Sequence, residues 1–171
     1  DIGAAGPDQG KGGKYLVLPP GYEGDVPDGY HVVRSKTYGV WNFMRGYVEQ
    51  GVDEATARIK KHLKIYPLAR KNSPPATEFT NMSGLAEYQT IMPNDFGFFE
   101  SLNALVQEEP VGWLTPEDTG LLAAIGIVKG QPFAPDARMK AILTDAVAIG
   151  NAYARANTVY PRDAGHRVYK D

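Results

Sequence analysis

The apolar residues of this chain change period near residue 50, and no other feature constrains the fold as much. Before that point they come in short runs cut by glycine and proline. Tyr15-Leu16-Val17-Leu18 stops at Pro19-Pro20, residues 30–35 follow a Pro/Gly-rich loop, and residues 38–48 hold Tyr38, Val40, Trp41, Phe43, Met44, Tyr47 and Val48. Short runs rich in β-branched and aromatic residues between such breakers predict strands. The third run is apolar on both faces, which predicts cover on both sides. After residue 50, Val52, Ala55, Ile59, Leu63 and Tyr66 recur every three or four residues, the stripe of one helix face. Asp53 is the expected N-cap and Pro67 the expected stop.

Asn72-Ser73-Pro74-Pro75 is a linker, and from residue 94 onward the pattern is helical. Residues 77–80 and 88–92 are readable as a hairpin around Ser83-Gly84. Asn94 or Asp95 can cap a helix bearing Phe98, Phe99, Leu102, Leu105 and Val106 that stops at Pro110. Thr115-Pro116-Glu117-Asp118 carries the marks of a capped start, with Thr at N-cap and Pro at N1, and predicts a helix ending near Gly126. Pro135 opens a longer helix whose expected buried stripe is Met139, Ile142, Leu143, Ala146, Ile149, Gly150 and Tyr153. Residues 163–171 read as a surface tail. The fold class is therefore α+β: a partial antiparallel β-sandwich layer followed by a mostly helical half. Residues 1–71 form the end of a β-rich domain with one packing helix, and residues 72–171 a hairpin plus a helical subdomain.

Composition removes several function classes. The 171 residues hold no cysteine, which excludes disulfides, thiolate metal sites and a cysteine nucleophile. A net charge of −2 gives no electrostatic footprint for nucleic acid. No apolar run reaches the roughly 18 residues of a membrane span. The three histidines, His31, His62 and His166, lack metal-ligand spacing, so no metal site is expected and no cofactor is specified. No serine sits in a nucleophile elbow.

Four local patterns invite a functional reading. The loop of residues 6–14 is rich enough in glycine to cradle an anion, with Lys11 or Lys14 adding charge. It departs from a P-loop in spacing, in having Gly12 where Ser or Thr holds magnesium, and in running into a strand. Glycines placed for positive φ are the simpler reading. On the third predicted strand, Arg45 shares a face with Trp41, Phe43 and Tyr47. An arginine among aromatics can hold a carboxylate or sugar by bidentate bonds and stacking; the plain alternative is a strand-end side chain reaching solvent. Arg45, Arg34 and Trp41 are thus the candidate contacts for a small polar ligand. The six bases between Arg58 and Lys71 fall opposite the apolar stripe and read as a solvated face. Glu108-Glu109 lies at a helix end, where the dipole disfavours acids, and surface exposure is the expected explanation.

Several stretches, in order, carry a resemblance. They are Gly6-Pro7-Asp8-Gln9-Gly10-Lys11-Gly12-Gly13-Lys14-Tyr15, Leu18-Pro19-Pro20-Gly21-Tyr22, Tyr38-Gly39-Val40-Trp41, Leu63-Lys64-Ile65-Tyr66-Pro67-Leu68, Pro93-Asn94-Asp95-Phe96 and Phe133-Ala134-Pro135-Asp136-Ala137-Arg138-Met139. Together they resemble bacterial proteins that join domain of unknown function 1254 to domain of unknown function 1214. The resemblance implies a chain cut from a longer one, spanning the late part of the first domain and the helical region after it. It also implies a periplasmic or otherwise extracytoplasmic address, and it brings no catalytic residues. Two functions follow as expectations. One is a binding or structural role with a small polar ligand. The other is a hydrolase whose active site assembles across the two family domains. Strand edges left open by truncation imply a homo-oligomer or pairing with missing segments of the same protein.

Overall fold

The computed structural model describes residues 3, 5–44, 46–84 and 91–160. In chain order these form β1 (Tyr15–Leu18), β2 (His31–Arg34), α1 (Val52–His62), a 3-10 turn (Leu68–Arg70), α2 (Gly97–Glu108), α3 (Pro116–Ala124) and α4 (Ala137–Val159). They fall into two compact units, one within Asp1–Ser35 and Gly39–Gln89, the other within Lys36–Tyr38 and Thr90–Asp171. The α+β class holds. The antiparallel sandwich does not.

In the first unit β1 and β2 pair in parallel, Tyr15 opposite His31 through Leu18 opposite Arg34. The antiparallel expectation fails on the connection. Residues 19–30, stiffened by Pro19, Pro20 and Pro27, carry the chain back to the start of β1 instead of folding it over in a tight hairpin. A connection of about a dozen residues is what a parallel return requires. Side chains alternate along β1: Leu16 and Leu18 are buried and Val17 is exposed. Among the described residues the sheet has these two strands, and residues 38–48 form no third one. The described residues of that run are exposed, Trp41 to 87 %. Strands need partners for their backbone groups as well as a pleated pattern, and the pattern alone misled.

α1 starts at Val52, one residue before the expected N-cap. Gly51 caps it with φ 97° and no side-chain bond, leaving Asp53 and Glu54 in the first turn, where the dipole favours them. The helix ends at His62, and Leu63 is already extended (ψ 126°). Pro67 has no amide to bond the Leu63 carbonyl, so the last expected turn is missing. Ala55 is buried, Arg58 pairs with Glu54 across one turn at 3.6 Å, and Lys60, Lys61 and Lys64 are exposed, as a solvated face requires. Of the expected hairpin, residues 77–80 form no strand, and 88–90 lie outside the described residues. Residues 163–171, including His166, also lie outside them.

The second unit holds α2, α3 and α4. Phe96 is already helical at the start of α2, and Asp95 Oδ1 accepts from Gly97 N at 2.8 Å. α3 begins as expected: Thr115 Oγ1 accepts from Asp118 N at 3.1 Å and donates to Asp118 Oδ2 at 2.7 Å. It ends in a Schellman motif, Gly126 N to Ala123 O at 3.0 Å and Ile127 N to Leu122 O at 2.9 Å, with Gly126 at φ 88°. Asp136 caps α4 by accepting from Met139 N at 2.7 Å. The inward side of α4 is Met139, Leu143, Val147 and Asn151, an i+4 ridge; Ile142, Ile149 and Tyr153 are exposed instead. The two stripes lie on neighbouring flanks of one helix, and periodicity alone cannot choose between them.

Candidate functional site

The chemistry in the first unit gathers around one carboxylate. Asp8 is buried in the glycine-rich loop, where Oδ1 accepts from Gly3 N at 2.8 Å and from the Tyr15 hydroxyl at 2.6 Å, and Oδ2 accepts from Gly12 N at 3.0 Å. Gly3, Gly10 and Gly12 all have positive φ, which turns backbone N–H groups toward the inside of the loop. The reading of these glycines as placed for positive φ holds, and the loop closes around its own carboxylate. The Tyr15 hydrogen bond is the main reason that the Asp8 carboxyl lies below its ordinary 3.8, with the Gly3 and Gly12 amides acting in the same direction and burial opposing them. Burial, followed by the hydrogen bond to Asp8 and then the Asp8 charge, pushes the Tyr15 hydroxyl above 10.0.

Around this centre the rings pack closely. The His31 ring tilts over Tyr15 with centroids 5.0 Å apart. Gly13 is needed there, since a Cβ would come within 2.9 Å of the imidazole. Lys14 Nζ lies 5.8 Å above the Tyr30 ring. Tyr66 bonds to the Tyr30 hydroxyl, and that bond, with burial second, holds Tyr66 above its ordinary 10.0. A carboxylate with three donors is a stabilised anion and a poor base. The arrangement therefore clamps the loop to the sheet. Sequence reasoning passed over Asp8, although an aspartate bracketed by glycines is the signal for a side chain that bonds its own loop.

The sequence-derived contacts are not brought together by this cluster. Arg34 ends β2 in solvent, its Nη1 at 3.5 Å from the Tyr22 carbonyl. Trp41 is exposed and tilts against Phe43 with centroids 5.8 Å apart. Arg45 lies outside the described residues. Among the described residues no group of three or more His, Asp or Glu side chains can hold a metal ion, and no helix is long and apolar enough to cross a membrane.

The second unit has its own buried acid. Glu109, at the C-cap of α2, is 2 % exposed and its Oε2 accepts from Tyr38 N at 2.6 Å. Surface exposure, expected for the Glu108-Glu109 pair, holds for Glu108 alone. Two apolar cavities lie in the same unit. One, of about 110 Å3, sits between the end of α2, the following loop and α3, beside Trp113. The other, of about 260 Å3, is framed by Phe98 and Phe99 of α2 and by Val147 and Gly150 of α4.

No curated protein matches the chain. Residues 2–67 match the family model described as a protein of unknown function (DUF1254), a stretch that takes in the Asp8 loop, both strands and α1.

Proposed function

We propose that the protein has a binding or structural role, with the aromatic run of residues 40–48 as the surface that meets a second copy of the chain. The observation that carries this reading is the exposure of Val40, Trp41, Phe43, Tyr47 and Val48 within nine residues. Scattered apolar side chains on a surface are ordinary, but a contiguous aromatic patch is characteristic of a contact site. The run is also held in place. Arg58 Nη2 donates to the Tyr47 carbonyl at 2.7 Å, and Gly46 approaches Ile59 so closely that a Cβ would stand 3.1 Å from its Cδ1. A surface pinned on α1 loses less freedom on binding than a mobile loop. Aromatic groups are suited to meeting their own kind across a two-fold axis, and a net charge of −2 gives little repulsion between copies.

Sedimentation velocity over a wide concentration range tests the reading. Association that Trp41→Ser with Phe43→Ser weakens supports it; a monomer at every concentration, or association indifferent to both substitutions, sinks it. A small polar ligand remains a second reading, supported by the exposed Arg34 guanidinium and the open Trp41 face. Native mass spectrometry on untreated protein tests that one. A retained small mass that Arg34→Ala removes supports it, and a bare mass rules it out for the purified protein.

A further inference from the structure

The smaller cavity of the helical unit is a built site. Its apolar lining comes from Val106, Trp113, Leu114, Leu122, Ile127 and Val128, and its volume is about 110 Å3. Two of its walls, the end of α3 and the loop after it, are fixed by hydrogen bonds. The Schellman bonds at Gly126 and Ile127 lock the end of α3. Gln107 donates to the Val128 carbonyl at 3.0 Å and accepts from Gly130 N at 2.7 Å, which ties the loop after α3 to α2. Thr119 Oγ1 donates to Thr115 O at 2.9 Å. A pocket with walls held this way is preformed, and an apolar ligand entering it meets little ordering cost.

Two polar side chains at its edge, Lys129 and Thr119, already donate to backbone carbonyls. Lys129 Nζ bonds the carbonyls of Gln107 at 2.7 Å and Val106 at 3.3 Å. Its charge thus answers the negative end of the α2 dipole. The Thr119 donor is spent within its own helix. Among the described residues no buried side-chain nitrogen or oxygen lacks a partner. An incoming charged group would have to leave water with little to receive it, at a cost that apolar contact cannot offset. At the rim Val111 is 87 % exposed, so apolar surface continues outward from the cavity.

We infer that this cavity binds a small neutral hydrocarbon group: one ring or a short branched chain held inside, with any longer part lying over Val111. The volume is below the roughly 150 Å3 of a cavity that takes up benzene or xenon, and the open mouth makes up the difference. The site is independent of the aromatic run assigned to self-contact. Neutrality is what sets it apart from an acid-binding pocket, and the lysine at its edge makes that distinction testable.

The experiment is a methyl-resolved NMR titration of the full chain with benzene, with xenon, and separately with benzoate. The expected result is saturable shifts at the Val106, Leu114, Leu122 and Ile127 methyls with both neutral probes, and none with benzoate. Ala123→Phe places a ring in the cavity from α3 without removing any core side chain, and it should weaken benzene binding about tenfold or more. Circular dichroism on the same variant checks that the helices remain. Shifts that fail to saturate, shifts confined to other methyls, a stronger response to benzoate, or unchanged benzene binding in a folded Ala123→Phe variant would each overturn the assignment.

Discussion

Asp8 shows how one side chain can decide the character of a loop. Its carboxyl is depressed below 3.8, chiefly by the Tyr15 hydroxyl. A depressed carboxyl contributes stability that is present above the ordinary value and is lost as pH falls through the lowered one. The Gly3 and Gly12 amide resonances should therefore titrate with a midpoint below 3.8. Tyr15→Phe should move that midpoint upward, because the main stabilising donor is gone; carbon-detected carboxyl NMR reads both. For Tyr15, raised above 10.0, the sign is opposite. Its contribution is present at neutral pH and lost as the hydroxyl ionises in alkali. Glu109 is the second residue of this kind. Glu109→Ala removes the carboxylate that accepts from the Tyr38 amide in a part-buried hydrogen bond, at a cost of about 1–3 kcal/mol. Glu109→Gln keeps an oxygen for that amide and should recover part of it, as urea denaturation will show.

At the scale of elements, the ends of α3 and the range of β1 matched the sequence reading, while both ends of α1, the strand pairing and the third strand did not. Thr115 and Gly126 were legible because capping depends on residues next to one another: a hydroxyl three residues from the amide it accepts from, and a glycine where φ must be positive. Thr115→Ala should cost about 1 kcal/mol by loss of the cap. Gly126→Ala should cost about 1–2 kcal/mol from the left-handed backbone alone, since nothing lies within 4 Å of the added Cβ. Thermal melts of the two variants check both values. The Tyr38–Val48 run had the composition of a strand, but composition supplies no hydrogen-bonding neighbour. The same limit applies to α4: its apolar residues are numerous enough for two stripes, and the choice of Leu143 over Ile149 was made by what packs against it.

The described residues bury little apolar surface for their number. Among the described residues the buried apolar side chains are Leu16, Leu18, Ala55, Val106, Ile127 and Leu143, divided between two units. Each unit therefore leans on few residues. Leu18→Ala, at a site 2 % exposed, should cost about 2–5 kcal/mol. Because the small core leaves little margin, the loss should appear as a lower midpoint for the first unit in hydrogen exchange. If the residue 40–48 run is covered by a second copy, the same variant should be rescued in part at high protein concentration, since association stabilises the folded form by mass action.

What the sequence determined by itself was local: the change of period near residue 50, the caps of α3, the Pro/Gly punctuation, and the lack of cysteine. These follow from interactions between residues a few positions apart, which a linear pattern contains in full. The parallel pairing of β1 and β2, the burial of Asp8 and Glu109, the exposure of Trp41 and the walls of the apolar cavity were decided only by tertiary structure. Each depends on which distant backbone group or side chain comes to meet the residue, and a side chain's own type does not carry that information.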